Sequence, residues 1–247
     1  LHLSIRRQRQ MCIRDRRPTF AVGVAAYAAS GFTRATLRGA EFVAAQTPAE
    51  RVEVAYDLAE SHPGSLIYCY LPEADKAGHR YGLDSVQWVS ALEEIDAALS
   101  RRVPPGVGVL VTSDHGMVDV PVHRQVVLEA EHLDGVRHIG GEPRMLHVYV
   151  EPDADAAVVA ERWRRDLEGL ADVGTGQEAI ASGFFGPEVT SAAATRIGDV
   201  LVVARGNGAV YDGTAADQRG RGMIGQHGGL TPEERQVPLL RFGAFAR

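Results

Sequence analysis

Beyond Arg17 the chain alternates continuous apolar runs with stretches whose apolar residues recur at helical spacing. TPAERVEVAYDLAESHPG (47–64) predicts a helix. Thr47 caps it, Pro48 takes the first helical position, Glu50 reaches back as in a capping box, and Pro63-Gly64 stops it. SLIYCYL (65–71) is rich in strand formers and carries no charge, which predicts a strand buried on both faces. DSVQWVSALEEIDAALSRR (84–102) predicts a helix capped by Asp84, with Val86, Val89, Leu92, Ile95 and Leu99 on its buried side. Pro104-Pro105-Gly106 closes that helix, and 107–112 predicts another strand. Further on, RMLHVYVE (144–151) reads as a strand, 153–170 as an amphipathic helix and GTGQEA (174–179) as a helix start. DVLVVA (199–204) and AVYD (209–212) flank Gly206-Asn207-Gly208, which predicts a hairpin. Thr231-Pro232-Glu233-Glu234 is a second capping box, and VPLLRF (237–242) a last strand. This order implies an α/β fold, a mostly parallel sheet flanked by helices. In such sheets ligands gather beyond the carboxyl ends of the strands.

Composition adds bounds. The 247 residues are 45% hydrophobic and 23% charged, as in a soluble globular protein of one large or two small domains. No apolar run approaches the ~18 residues of a membrane span. Two cysteines, Cys12 and Cys69, give neither a disulfide framework nor a thiolate zinc pattern. Charge is uneven: residues 1–17 hold six arginines and one acid, Asp15, a net of +5, and the whole chain is −6, which leaves −11 on 18–247. A basic arm could bind nucleic acid or phospholipid headgroups. It lacks the apolar core of a secretory signal; the compartment is left open, with the cytoplasm favoured over secretion. A third reading fits it better. RRQRQMCIRDR (6–16) matches, over eleven consecutive residues, the translation of a transposon sequencing adaptor. Residues 1–16 are therefore expected to be non-native, with the natural chain entering near Arg17.

The candidate chemistry lies in three loops, each after an apolar run. Asp75 and His79 are four apart, so a helical turn would bring them to one face. Asp114 and His115 follow the strand 107–112, and His227 stands between Gln226 and a pair of glycines. Carboxylate oxygen and neutral imidazole nitrogen are the donors a catalytic Zn²⁺ takes. Gly78, Gly116 and Gly228 would allow close backbone approach or left-handed geometry. Taken alone, each piece is also ordinary: a surface Asp/His pair, a turn carboxylate, a loop histidine. His62, His123, His132, His138 and His147 show no comparable grouping.

D-x-x-x-H, then D-H-G-M, then H-G-G, in that order, resembles the alkaline phosphatase superfamily. Within it the chain is similar to the type I phosphodiesterase/nucleotide pyrophosphatase family, from about Phe20 to Leu240. SGFTRATLRGAEF (30–42), TSDHGMVD (112–119) and GQHGGLTPEERQVPLL (225–240) carry much of the likeness. The resemblance implies that Asp75, His79 and His227 hold one zinc, while Asp114 and His115 help hold a second. It implies hydrolysis of phosphodiester or pyrophosphate bonds, in nucleotides, by two zincs and a covalent Thr intermediate. It also exposes a deficit. The second zinc lacks the Asp and the Thr nucleophile that complete it in the family, and no residue of 17–65 takes either part. Residues 17–247 are thus expected to be the C-terminal part of a single alkaline phosphatase-like domain, incomplete at its N-terminus and inactive alone, with the catalytic Thr upstream. Where the family often has Pro before the first metal Asp, this chain has Ala74, which bears on substrate subclass rather than on metal binding.

The expected partner is a small nucleotide or phosphodiester, because −11 does not favour a polyanion such as nucleic acid, and no membrane partner is expected. Oligomeric state is left open. The rival readings are a phosphomonoesterase, phosphonate hydrolase or sulfatase of the same superfamily; an inactive metal-binding fragment; and a nucleic-acid binder that depends on residues 1–17.

Overall fold

The computed structural model describes residues 17–246; the adaptor-like segment and Cys12 lie outside them. The order begins β1 (Thr19–Gly23), α1 (Gly31–Thr36), β2 (Glu41–Ala44), α2 (Pro48–Ser61), β3 (Leu66–Cys69), α3 (Glu73–Tyr81), α4 (Val86–Leu99), β4 (Gly108–Thr112), β5 (Val118–Asp119), β6 (Gln125–Leu128), β7 (Val136–Glu142) and β8 (Met145–Val150). It continues α5 (Ala156–Asp166), β9 (Ala171–Thr175), α6 (Gly176–Ala181), α7 (Ser191–Ala194), β10 (Val200–Ala204), β11 (Ala209–Asp212), β12 (Gly225–Gln226), α8 (Pro232–Arg235) and β13 (Leu239–Gly243). The expected α/β architecture is present. Parallel pairing holds β2-β1-β3 and β11-β6; the other ladders are antiparallel, so the strands are more mixed than helix–strand alternation implies. No helix among the described residues is long and apolar enough to cross a membrane.

The chain divides into two compact units. The first takes residues up to 77, 86–112 and from 238 onward. Its parallel sheet runs β2-β1-β3, and β13 pairs antiparallel with β4. Helix α2 forms as the sequence predicts: the Glu50 N–H donates to Thr47 Oγ1 at 3.1 Å, and the Thr47 N–H donates to Glu50 Oε2 at 3.0 Å. Two expectations need correction here. Strand β3 is not buried on both faces: Leu66 and Tyr68, two apart and so on one face, are 41% and 49% exposed. Helix α4 does not use the expected face or cap. Val86 is 82% exposed, while Ala91 and Ala98 are buried, and the helix packs on α2. Small side chains let the two helices approach closely, and that outweighs the larger apolar stripe. Asp84 sits at φ 58°, in left-handed geometry before the helix begins.

Cys69 ends β3, and burial pushes its thiol up from 9.0 to about 11. At pH 8 that leaves about a hundredfold less thiolate than an ordinary thiol has. With Cys12 replaced by Ser, Cys69 is expected to react with a disulfide reagent about a hundredfold more slowly in the native protein than in denaturant. The rate of thiolate release by absorbance measures it.

The second unit takes residues 78–85 and 113–237. Its four-stranded antiparallel sheet runs β7-β8-β10-β9. Helix α5, capped by the Asp155 carboxylate accepting from the Ala157 N–H at 2.8 Å, lays Val159, Ala160 and Trp163 into its core. Leu128, Leu146, Val148, Val200, Val202 and Val210 meet them there. The Trp163 indole N–H donates to His132 O at 2.9 Å, so this ring is buried without an orphaned donor. The expected 199–212 hairpin does not form. Gly206 turns the chain at φ 54°, but β10 pairs with β8 and β9 while β11 runs parallel to β6. The turn was legible; the partners, being distant in sequence, were not.

Candidate metal centre

Helix α3 begins just after β3, and its first turn is held from below. Arg51 on α2, fully buried, donates to the Glu73 carboxylate. Asp75 and His79 therefore lie one helical turn apart on a fixed rod, as their spacing predicted. The other end of α3 is held too: the Leu83 N–H donates to both oxygens of Asp119, at 2.9 and 3.1 Å.

His227 follows the short strand β12, which pairs antiparallel with β5. Gly225 in β12 lies so near the helix that an added Cβ would stand 2.6 Å from Gly78 O. That approach lets the His79 Nδ1–H donate to Gly225 O at 2.8 Å. A carbonyl can only accept, so this bond puts a proton on Nδ1, and in the neutral ring the lone pair is then on Nε2. Asp75, His79 and His227, all half-buried, each offer a ligand atom, and these atoms lie within 4.8 Å of one another.

His115 repeats the device. Its Nδ1–H donates to Gly116 O at 2.8 Å, which again selects the Nδ1–H tautomer of the neutral ring. Its ring stacks on that of His227, with centroids 3.5 Å apart and planes 15° from parallel. The Asp114 side chain is 82% exposed, with Oδ1 3.7 Å from His115 Nε2. The structure thus brings Asp75, His79 and His227 into one convergent set and puts His115 against it. Among the described residues Asp114 lies against His115, and neither of that pair joins the set of three. His62, His123, His132, His138 and His147 are not in it either. Burial lowers the pKa of His147, whose Nδ1 accepts from the Gly198 N–H at 3.1 Å, a structural role.

Gly116 and Gly228 meet the expectation of close approach or left-handed geometry in different ways. Gly228 has φ +107°, which L side chains rarely adopt. At Gly116 the constraint is space: a Cβ would stand 1.9 Å from Glu233 O.

Two imidazoles and one carboxylate, with the His115 ring stacked beside them, are donors that suit a divalent ion of borderline softness. The donor set fits the zinc that the sequence led us to expect.

Two buried residues beside the His115 and His227 loops gave no signal in sequence. Glu234 registered only as part of a helix cap, and Arg144 only as the start of a strand. Both are fully buried and paired with each other, Arg144 Nε to Glu234 Oε1 at 2.9 Å and Nη2 to Oε2 at 2.6 Å. Burial works against the charge on Glu234, but bonds from Arg144, Thr231 and the Gly229 N–H prevail and hold its carboxyl below the usual 4.5. A carboxyl lowered in the folded state lends stability that is complete above 4.5 and is lost as pH falls below it, through the lowered value. The melting temperature of the native chain is therefore expected to fall on acidification below about pH 4.5. Glu234→Gln should flatten that acid limb, as melting curves in a pH series would show.

The profile of the type I phosphodiesterase / nucleotide pyrophosphatase family matches residues 18–230. No curated protein matches the sequence. Among solved structures, phosphonoacetate hydrolase from Sinorhizobium meliloti, in complex with phosphonoacetate, is similar at TM-score 0.59 and 21% identity, over 78% of this chain and 49% of that one. Human ectonucleotide pyrophosphatase/phosphodiesterase 5 is similar at TM-score 0.62 and 13% identity, over 94% and 62%. An inactive variant of the murine protein, in complex with AMP, gives 0.59 and 16%, over 93% and 61%. The likeness at these identities is one of fold. The chain spans between about half and three-fifths of the length of these structures.

Proposed function

Because the chain belongs to the type I phosphodiesterase / nucleotide pyrophosphatase family, we propose that it carries most of the metal centre of a zinc-dependent hydrolase acting on phosphodiester or pyrophosphate bonds of small nucleotides. Asp75, His79 and His227 would hold one ion, and Asp114 with His115 would contribute to a second. Such ions supply charge neutralisation and Lewis-acid polarisation at a phosphoryl group. The chain's own part is to hold donors ready. His79 and His115 donate their Nδ1–H to main-chain carbonyls, which selects the tautomer whose lone pair is on Nε2. Asp75 brings one negative charge to offset the cation. Its spacing from His79 is fixed by α3, whose two ends are tied by Glu73 and Asp119. The nucleophile, a Thr in this reading, and the remaining ligand of the second ion belong to sequence upstream.

The observation that carries the proposal is the convergence of Asp75, His79 and His227. The acidity of residues 18–247 supports a small substrate over a nucleic acid, and AMP in the murine relative is a ligand of that size. A second reading is favoured by one observation: a phosphonoacetate hydrolase is as similar in fold as the ectonucleotide enzyme. Two measurements test the proposal. The chain as it stands should bind about one tight zinc, and no zinc in equilibrium dialysis at micromolar concentration would overturn the metal assignment. The full-length enzyme should prefer bis-(p-nitrophenyl) phosphate to the monoester. Activity on phosphonoacetate with none on the diester would transfer the assignment to the second reading.

A further inference from the structure

Glu234 sits where the two histidine-bearing loops of the second unit meet. Its carboxylate is saturated. Oε1 accepts from Arg144 Nε at 2.9 Å and from the Gly229 N–H at 2.8 Å. Oε2 accepts from Arg144 Nη2 at 2.6 Å, from the Thr231 N–H at 3.2 Å and from Thr231 Oγ1 at 2.8 Å. Gly229 and Thr231 lie two and four residues after His227, so this one side chain gathers the loop that carries His227. Its main chain takes the other loop: Glu234 O accepts from the Gly116 N–H at 2.8 Å, one residue after His115. Arg144 anchors the assembly from the β7–β8 turn, where its Nη1 also donates to Gly208 O.

The glycines fit this arrangement. A Cβ on Gly229 would stand 2.8 Å from Glu234 Oε2 and 3.0 Å from Arg144 Nη2, and one on Gly116 would strike Glu233 O. In each loop a glycine one or two residues after the imidazole, Gly116 or Gly229, keeps the backbone thin enough to reach the same segment, Glu233-Glu234.

Stability alone does not account for such a pair. A buried ion pair gains little over apolar residues of the same volume, because both charges must leave water. What a planar guanidinium on a carboxylate gives beyond that is fixed orientation. We propose that Arg144 and Glu234 are positioning residues of the metal centre, locking the His227 loop to the His115 turn so that the two imidazoles face each other. The inference rests on the ligand roles proposed above, and its first test does not need metal.

Arg144→Lys keeps the charge and loses the fork; Arg144→Met with Glu234→Met removes the pair at similar volume. In the metal-free protein, nuclear Overhauser contacts between the His115 and His227 rings should be present in the native chain and lost in both variants. In the second arm, zinc affinity by chelator competition should fall 10–100-fold, with the Met/Met variant melting near the native temperature. That combination is one a merely structural pair would not give. Retained ring contacts and native zinc affinity in either folded variant would overturn the proposal. Should Met/Met fail to fold, Arg144→Lys carries both arms. A native chain that binds no zinc would defeat the proposed function while leaving the ring-contact test of the clamp intact.

Discussion

Replacing His227 by Ala is expected to weaken zinc binding by roughly 10²–10³-fold. A tightly held zinc with four ligands is worth about 10–16 kcal/mol, so one ligand accounts for about 2.5–4 kcal/mol. His227 is the member of the set that comes from outside α3, so its loss leaves only the Asp75–His79 pair on the helix. The metal-free protein should be little affected, since a half-buried loop histidine away from the core contributes about 0.5 kcal/mol, or about 1–2 °C of melting temperature. Chelator competition measures the affinity, and His123→Ala, at an exposed position, is the control that should bind as the native chain does. Native affinity in His227→Ala would remove this residue from the site.

The second large effect is expected at Gly116. An alanine methyl there would stand 1.9 Å from Glu233 O, a main-chain atom that no side-chain rotation can move away. Either the turn after β4 or the turn at α8 must shift, and the Gly116 N–H bond to Glu234 O goes with it. Overpacking of this kind costs about 3 kcal/mol, which lowers the melting temperature by about 6–12 °C in a chain of this size. Zinc affinity should fall as well, because the displaced segment holds the His227 loop. Gly31→Ala is the contrast: nothing lies within 4 Å of the added carbon, and φ is not in the left-handed region. That change should be neutral or slightly stabilising. Equal melting temperatures for the two variants would show that the turn has room the structure does not reveal.

What sequence disclosed and what it concealed follow from the range of the forces involved. Helix α2 was legible to its capping box because Thr47, Pro48 and Glu50 act on one another within a single turn. The Asp75–His79 spacing was legible for the same reason. Helix α4 was misread because two stripes compete on it, the large residues at 86, 89 and 92 and the small ones at 91 and 98. Only the identity of the neighbouring helix decides between them. The 199–212 segment shows the same limit in a sheet: local residues specify a turn, but distant strands specify pairing. At the site, no periodicity leads from α3 to His227, and only the family resemblance connected them. Arg144 and Glu234 were beyond reach, since a buried ion pair leaves no mark on local pattern.

The imidazoles of His79 and His115 are tethered by the carbonyls of residues 225 and 116. A main-chain oxygen is the same whatever amino acid supplies it, so a change of side chain at 225 or 116 deletes neither tether unless it moves the backbone itself. The tilt of each ring against its own loop is thereby decoupled from turnover of neighbouring side chains, while the placement of the His115 and His227 loops still rests on Arg144 and Glu234. In the proposed hydrolase, loops that contact the substrate would then be able to diverge while these two ring tethers stay the same.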